Sequence, residues 1–202
     1  MKKYFVTTMI CLVLIASVAY GAIIHVPGDQ PTIQAGIDAA KDGDTVLVAD
    51  GTWTGPGNKD LDFKGKAITV TSENGAENCI IDCEGDGRGF YFHSGETNKS
   101  VVSGFTITNG SPNDGNGGGI YCYESSPTII NNIVEENSVS RGGGGICCIF
   151  SDATIQNNEI SRNSSSNTGG GIACVDGSSP TIQNNKINGN SAEWGGAIIS
   201  KK

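Results

Sequence analysis

The chain has 202 residues, with 13 Lys and Arg against 21 Asp and Glu, 37% hydrophobic residues, 6% aromatic residues and 30 glycines. Recognition of a phosphate backbone needs clustered basic side chains, and the densest basic runs here are the Lys2-Lys3 and Lys201-Lys202 pairs, which argues against a nucleic-acid partner. Ile, Val and Thr recur throughout, unlike the composition of a disordered chain, so the sequence reads as one ordered β-rich domain with a thin, repetitive core.

Residues 1–21 read as an export signal peptide. Lys2 and Lys3 precede an apolar run over 5–19, and small residues at Ser17-Val18-Ala19 and Ala19-Tyr20-Gly21 suit cleavage. The run is shorter than the roughly 20 residues of a spanning helix. A single secreted, extracellular or cell-surface domain is therefore expected over 22–202, with no membrane span once the signal is removed. Within it, Pro31 opens a short helix over 33–40 that places Ile33, Ile37 and Ala40 on one face, and Lys41-Asp42-Gly43-Asp44 stops it. Such a helix can cover the open end of a first coil, where strand edges would otherwise be unpaired. Strands are expected at 45–49, 67–71, 79–83, 89–93 and 101–108.

From about residue 115 an internal repeat takes over. Gly117-Gly118-Gly119-Ile120, Gly143-Gly144-Gly145-Ile146, Gly169-Gly170-Gly171-Ile172 and Gly195-Gly196-Ala197-Ile198 recur every 26 residues. Each unit holds three short β-favouring segments, too short to fold alone. Stacked on the next unit, they predict a β-solenoid of three parallel sheets and six or seven turns, an all-β right-handed parallel β-helix. Strand alternation predicts inward ladders Ile120/Ile146/Ile172/Ile198, Ile129/Ile155/Ile182, Val134/Ile160/Ile187 and Cys122/Cys148/Cys174. Asn131/Asn157/Asn184 and Asn137/Asn163/Asn190 are assigned to corners, where left-handed backbone and unpaired polar groups suit Asn. The glycine triplets read as close turns, since no Lys-Ser/Thr and no helix follows them.

The segments Ile33-Gln34-Ala35-Gly36-Ile37-Asp38-Ala39-Ala40, Asp42-Gly43-Asp44-Thr45-Val46, Asp50-Gly51-Thr52-Trp53, Phe63-Lys64-Gly65-Lys66 and Gly104-Phe105-Thr106-Ile107-Thr108-Asn109-Gly110 resemble the front of secreted bacterial right-handed parallel β-helix repeat proteins, whose fold is that of pectate lyases. The glycine- and Asn-containing repeats are also similar to those of polymorphic outer-membrane proteins, though without their Phe-x-x-Asn element. The resemblance implies the fold. It leaves the activity open, because this fold hosts lyases, hydrolases, adhesins and structural proteins.

A pectate-lyase-like mechanism, as the resemblance implies it, needs carboxylates holding Ca²⁺ with a nearby Arg or Lys as base, and glycoside hydrolysis needs two facing carboxylates. The one dense acidic cluster is Asp82, Glu84 and Asp86, with Arg88 close by. It is the candidate Ca²⁺ set, with an ordinary solvated turn as the preferred assignment. No convergent catalytic constellation stands out, so the chain reads as a structural, adhesive or carbohydrate- or protein-binding module, with a polysaccharide lyase or glycoside hydrolase as the alternative. Tyr121, Tyr123 and Trp194, with Phe150 nearby, are the candidate binding residues for an extracellular polysaccharide or surface protein. Cys79 and Cys83 are left either paired or stacked inward, and zinc lacks a ligand set. The last strand begins at Ile198 without a cap, which predicts end-to-end self-association or a further C-terminal region.

Overall fold

The computed structural model describes residues 21–201. The expected signal peptide lies outside the described residues except for Gly21. Parallel strands stack into a β-solenoid. Its first sheet contains Ile23–Val26, Thr45–Val48, Thr69–Ser72, Val101–Ser103, Thr128–Ile130, Thr154–Gln156 and Thr181–Gln183, in that order along the axis. A second sheet stacks Gly51–Trp53, Cys79–Asp82, Thr106–Thr108, Ile133–Glu135, Glu159–Ser161 and Lys186–Asn188, and a third stacks Phe90–Phe92, Ile120–Tyr123, Ile146–Ile149, Ile172–Val175 and Ile198–Ser200. Among the described residues no helix is long and apolar enough to cross a membrane.

The inward ladders form as expected, in register from coil to coil. They also extend into the front of the chain. In the first sheet one inward column runs Ile24, Val46, Val70, Val102, Ile129, Ile155 and Ile182. In the third sheet the cysteine ladder starts at Phe92, and the Ile120 ladder starts at Phe90. Identical β-branched side chains spaced by about 4.8 Å nest without altering the cross-section. In the front coils the same volume is filled by Phe63, Phe90, Phe92 and Phe105, all fully buried, with ring centroids 4.8 to 6.2 Å apart.

The helix spans Ile33–Ala39. Thr32 caps its N-terminus by accepting from the Ala35 N–H, and Lys66 Nζ donates to the Ile37 and Asp38 carbonyls at 2.8 Å each, satisfying its C-terminal end. Ile33 and Ile37 are buried beneath it. A Cβ at Gly36 would meet Val46 and Val26 within 2.9 Å, so only glycine lets the helix lie this close to the first sheet.

Three sequence expectations need correction. The strand placed over 101–108 is two strands, split at Gly104, whose φ of 78° turns the corner between the first and second sheets. Where the sequence predicts three sheets, the repeats carry a fourth short one, Ser138–Val139, Ser164–Thr168 and Ser191–Trp194, built largely from serine-rich segments. The Asn roles also divide differently. Asn131, Asn157 and Asn184 have φ near 55°, as expected of left-handed corners, but the matching corner after the second sheet belongs to Glu136, Arg162 and Gly189. The amide ladders are made by the residue that follows each corner, Asn132/Asn158/Asn185 and Asn137/Asn163/Asn190. Asn158 Oδ1 accepts from the Asn132 backbone N–H at 2.9 Å, and its Nδ2 donates to the Ile129 carbonyl at 2.9 Å.

Candidate functional site

The outer face of the third sheet gathers the aromatic residues. Tyr91, Tyr121, Cys147, Ala173 and Ile199 form one outward column, and Tyr123, Ile149 and Val175 form the next. From Tyr121 to Ala173 the first column is covered by the chain itself, whereas Tyr91 stays half-buried. Gly117, Gly143, Gly169 and Gly195 all have φ between 57° and 65°, which folds the backbone back over the strand that follows each of them. At Gly117 an added Cβ would stand 2.6 Å from both the Ile120 carbonyl oxygen and the Tyr121 Cβ, so the return path admits no side chain. Cys147 and Ala173 are consequently buried, and Tyr121 keeps 7% of its surface exposed. Burial pushes the Tyr121 phenol above its ordinary range.

Arg88 ties this column together. Its guanidinium carbon lies 4.7 Å from the Tyr91 ring centre and 5.0 Å from that of Tyr121, two rings stacked at 5.2 Å and nearly parallel. Its Nη2 pairs with Asp114 at 2.6 Å, and Asp60 stands 3.9 Å from Nε. The Nε and Nη1 groups are buried without a hydrogen-bond acceptor, so the negative ring faces and the two carboxylates supply the compensating potential. One arginine thus joins three successive coils and fixes the tyrosine rings. Arg88 was noticed in the sequence only as a neighbour of the acidic cluster; the structure gives it a different set of partners.

Beyond the covered column an exposed aromatic strip continues. His93 stacks on Tyr91 at 4.0 Å and faces Asp62, with Nε2 3.5 Å from the carboxylate. Tyr123 is half-buried, and its ring meets Phe150 edge to face at 6.3 Å. The Glu124 carboxylate beside the Tyr123 hydroxyl raises its pKa. Phe150 is 57% exposed and holds a φ of 49°. The residues that follow the neighbouring strands, Glu124 and Asp176, share that backbone conformation and flank Phe150 along the axis. Trp194 is 59% exposed but does not join the strip: it pairs with Thr168 in the fourth sheet, three coils, or about 14 Å, beyond Tyr121.

Asp82, Glu84 and Asp86 lie on the opposite side of the Arg88 corner and already have partners. Asp82 Oδ1 accepts from the Glu84 N–H and from Asn109 Nδ2 at 2.9 Å each, and Glu84 Oε2 accepts from the Gly55 N–H. Lys59 Nζ lies 3.5 Å from Glu84 and 3.4 Å from Asp86 and donates to the Cys83 carbonyl, so an ammonium serves as the cation of this cluster. Although burial works against its charged form, Asp86 and Glu84 hold the Lys59 pKa above its ordinary value. Among the described residues no three His, Cys, Asp or Glu side chains are arranged to hold a metal ion. The six cysteines from Cys79 to Cys174 are free and buried, with Cys122, Cys148 and Cys174 in the inward ladder.

A polar column at the next corner was not read from the sequence. Glu96, 2% exposed, accepts from the Gly65 and Ser94 N–H groups and from the Ser125 hydroxyl at 2.8 to 2.9 Å. Ser125 in turn accepts from the Gly95 N–H and receives Ser151, whose own N–H donates to the Ser178 hydroxyl. The spacing of Ser125, Ser151 and Ser178 follows the repeat and was the available signal. No protein-family model, curated protein or solved structure matches the chain, so the fold and these arrangements are the ground for assigning a role.

Proposed function

We propose that the protein is an exported β-solenoid that binds an uncharged glycan on the strip formed by Tyr91, His93, Tyr123 and Phe150. The observation that carries this reading is Phe150. An aromatic residue in the left-handed region is strained, and its exposed ring is poorly placed for folding, whereas the equivalent corners carry polar residues. Two costs at one exposed position fit a contact residue better than a structural one. Sugar rings offer C–H faces to aromatic rings and hydroxyls to carboxylates, and Asp62, Glu124 and Asp176 supply those carboxylates beside the strip. The same carboxylates repel uronate or sulfate groups.

Isothermal titration with neutral β-linked glucan, xylan and chitin oligosaccharides, beside polygalacturonate, tests the assignment. Binding of a neutral oligosaccharide is expected, without new reducing ends or unsaturated products. Phe150→Ala removes an aromatic anchor and should weaken binding by about 2 kcal/mol, roughly thirty-fold. Equal affinity in the variant, or preference for polygalacturonate, would refute the reading.

A further inference from the structure

An asparagine followed by glycine is the pair in which a side-chain amide is most open to attack by the next backbone nitrogen, because glycine places no side chain beside that nitrogen. The chain has four such pairs, Asn74-Gly75, Asn109-Gly110, Asn116-Gly117 and Asn188-Gly189. Three of them hold the glycine nitrogen in a hydrogen bond. Gly75 donates to the Ser72 hydroxyl at 3.1 Å, Gly110 to Asn137 Oδ1 at 2.8 Å and Gly117 to the Gly142 carbonyl at 2.9 Å. Gly110 and Gly117 are buried as well. The side-chain amides of Asn74 and Asn109 are also held, donating to Asp50 at 3.0 Å and to Asp82 at 2.9 Å.

Asn188-Gly189 differs on each count. Both residues are exposed, and among the described residues the Gly189 N–H donates to no acceptor and the Asn188 side chain makes no hydrogen bond. Asn188 ends the strand Lys186–Asn188, which pairs on one edge only among the described residues, with Glu159–Ser161. Turning the peptide after Asn188 so that its nitrogen meets the side-chain carbon breaks one backbone hydrogen bond, the 3.2 Å bond from the Arg162 N–H to the Asn188 carbonyl. Space is available for the turn. A Cβ built at Gly189 would meet nothing nearer than Arg162, at 3.7 Å. The same corner carries Glu136 and Arg162 in the two preceding coils, so the susceptible pair is peculiar to this level of the repeat.

We propose that Asn188 is a site of spontaneous deamidation in the folded protein, and that its isoaspartyl product releases the neighbouring rung of the amide ladder. The Gly189 nitrogen, its proton passed to water, forms a bond to Asn188 Cγ and closes a five-membered imide. The Cγ–Nδ2 bond breaks, and that nitrogen leaves as ammonia with the proton returned to it. Water then opens the imide at one of its two carbonyls. Opening at Cγ breaks the new C–N bond and leaves aspartate; opening at the backbone carbonyl breaks the old peptide bond and leaves isoaspartate, with the main chain running through Cβ and Cγ. One water is consumed, one ammonia is released and one negative charge is gained, at the end of the outward column Asp82, Thr108, Glu135, Ser161 and Asn188. Isoaspartate also adds a carbon to the main chain just before Asn190. That residue accepts from the Asn163 N–H at 2.9 Å and donates to the Ile160 carbonyl at 2.8 Å, so the longer chain draws it out of register and frees the Asn163 N–H.

The test is to age the full chain in mildly alkaline buffer, once folded and once in urea, and to follow the conversion of amide to acid at each of the four pairs by mass spectrometry of its peptides. In the folded protein Asn188 should convert at least about tenfold faster than Asn109 and Asn116, the factor that one retained hydrogen bond of ordinary strength imposes, with Asn74 between them. In urea all four should convert at similar rates. The isoaspartyl fraction, separated by ion exchange, should lose amide-exchange protection at Asn163 and keep it at Asn137. Asn188→Gln, whose longer side chain has to close a less favourable ring, should remove the fast-forming acidic fraction. Conversion in the folded protein that is fastest at another pair overturns the proposal, as does a rate at Asn188 equal to those at Asn109 and Asn116. An excess at Asn188 that persists in urea would assign the effect to local sequence and overturn it as well. Undiminished protection of Asn163 in the isoaspartyl fraction would overturn the release of the rung.

Discussion

The front coils and the repeated coils solve one packing problem in two ways. Before residue 117 the core is filled by four phenylalanines of differing orientation, and the exterior is fastened by single devices: Lys66 on the helix end, Lys59 between Glu84 and Asp86, and Arg88 across three coils. From Gly117 onward the inward Ile and Val ladders of the three main sheets repeat, and the fastening repeats with them as Asn and Ser columns. A device used once can be specific. A device used at every coil must fit its own copy above and below, which restricts it to side chains that hydrogen-bond or nest with themselves.

The difference predicts unequal responses to mutation. The largest effect is expected for Phe90→Ala, which empties the centre of the aromatic cluster where no neighbour of the same shape can close the gap; about 3 to 5 kcal/mol should be lost by chemical denaturation. Ile155→Val, in the repeated core, removes one methylene from a ladder of like residues and should cost only about 0.5 to 1.5 kcal/mol. Equal losses at the two sites would erase the distinction between the regions.

Next in size is the contrast between adjacent asparagines. Asn158→Ala strips the acceptor from the buried Asn132 N–H and the donor from the Ile129 carbonyl, at about 1 to 3 kcal/mol for the unsatisfied groups. Asn157→Gly retains the left-handed corner and should change stability by no more than a few tenths of a kcal/mol. Both values come from the same urea titration, and a reversed order would show that the amide ladder is dispensable.

The thiols give a pH-dependent effect. Burial pushes Cys79, Cys83 and Cys174 from an ordinary 9.0 up to about 12. Their native state holds the proton that the unfolded chain has already released, so the stabilisation is complete below about pH 9 and disappears as the pH rises toward 12. Cys174→Ala should flatten the alkaline fall of the urea midpoint relative to the parent chain. In the folded protein at pH 8 none of the six thiols should react with iodoacetamide, and all should react in denaturant.

The smallest effect carries the opposite sign. Phe150→Gly relieves the left-handed strain and should leave stability unchanged or raise it by up to about 1 kcal/mol while glycan binding falls. Loss of stability would make the residue structural.

The repeated half was readable because its constraints are periodic. Ile120, Ile146 and Ile172 recur at the spacing of one coil, and strand alternation then places Cys122, Cys148 and Cys174 inward without further information. The fourth sheet escaped notice because Ser164–Thr168 lacks β-branched residues until its last position; its pairing comes from the neighbouring backbone and not from propensity. The front was legible as separate elements, the helix above all, but Arg88 and Glu96 also act across coils, on Asp114 26 residues away and on Gly65 31 residues away, and no local pattern marks those partners. For the same reason the strip was only partly anticipated: Tyr123 and Phe150 stood out as outward residues, whereas the cover over Tyr121 depends on the left-handed φ of Gly117.

Because the hydrogen bonds between coils run along the solenoid axis, they also set its response to tension. A load applied along the axis falls on one coil interface at a time, and the coil that yields releases its 26 residues together. At about 3.5 Å per extended residue, each event lengthens the molecule by roughly 90 Å, from an initial rise of about 4.8 Å. The uniform repeats after Gly117 should yield at similar forces and make that half a graded extensible tether. The aromatic cluster and the Arg88 clasp give the front coils a higher threshold, so the strip on Tyr91 and His93 keeps its shape after the coils beyond it have begun to open.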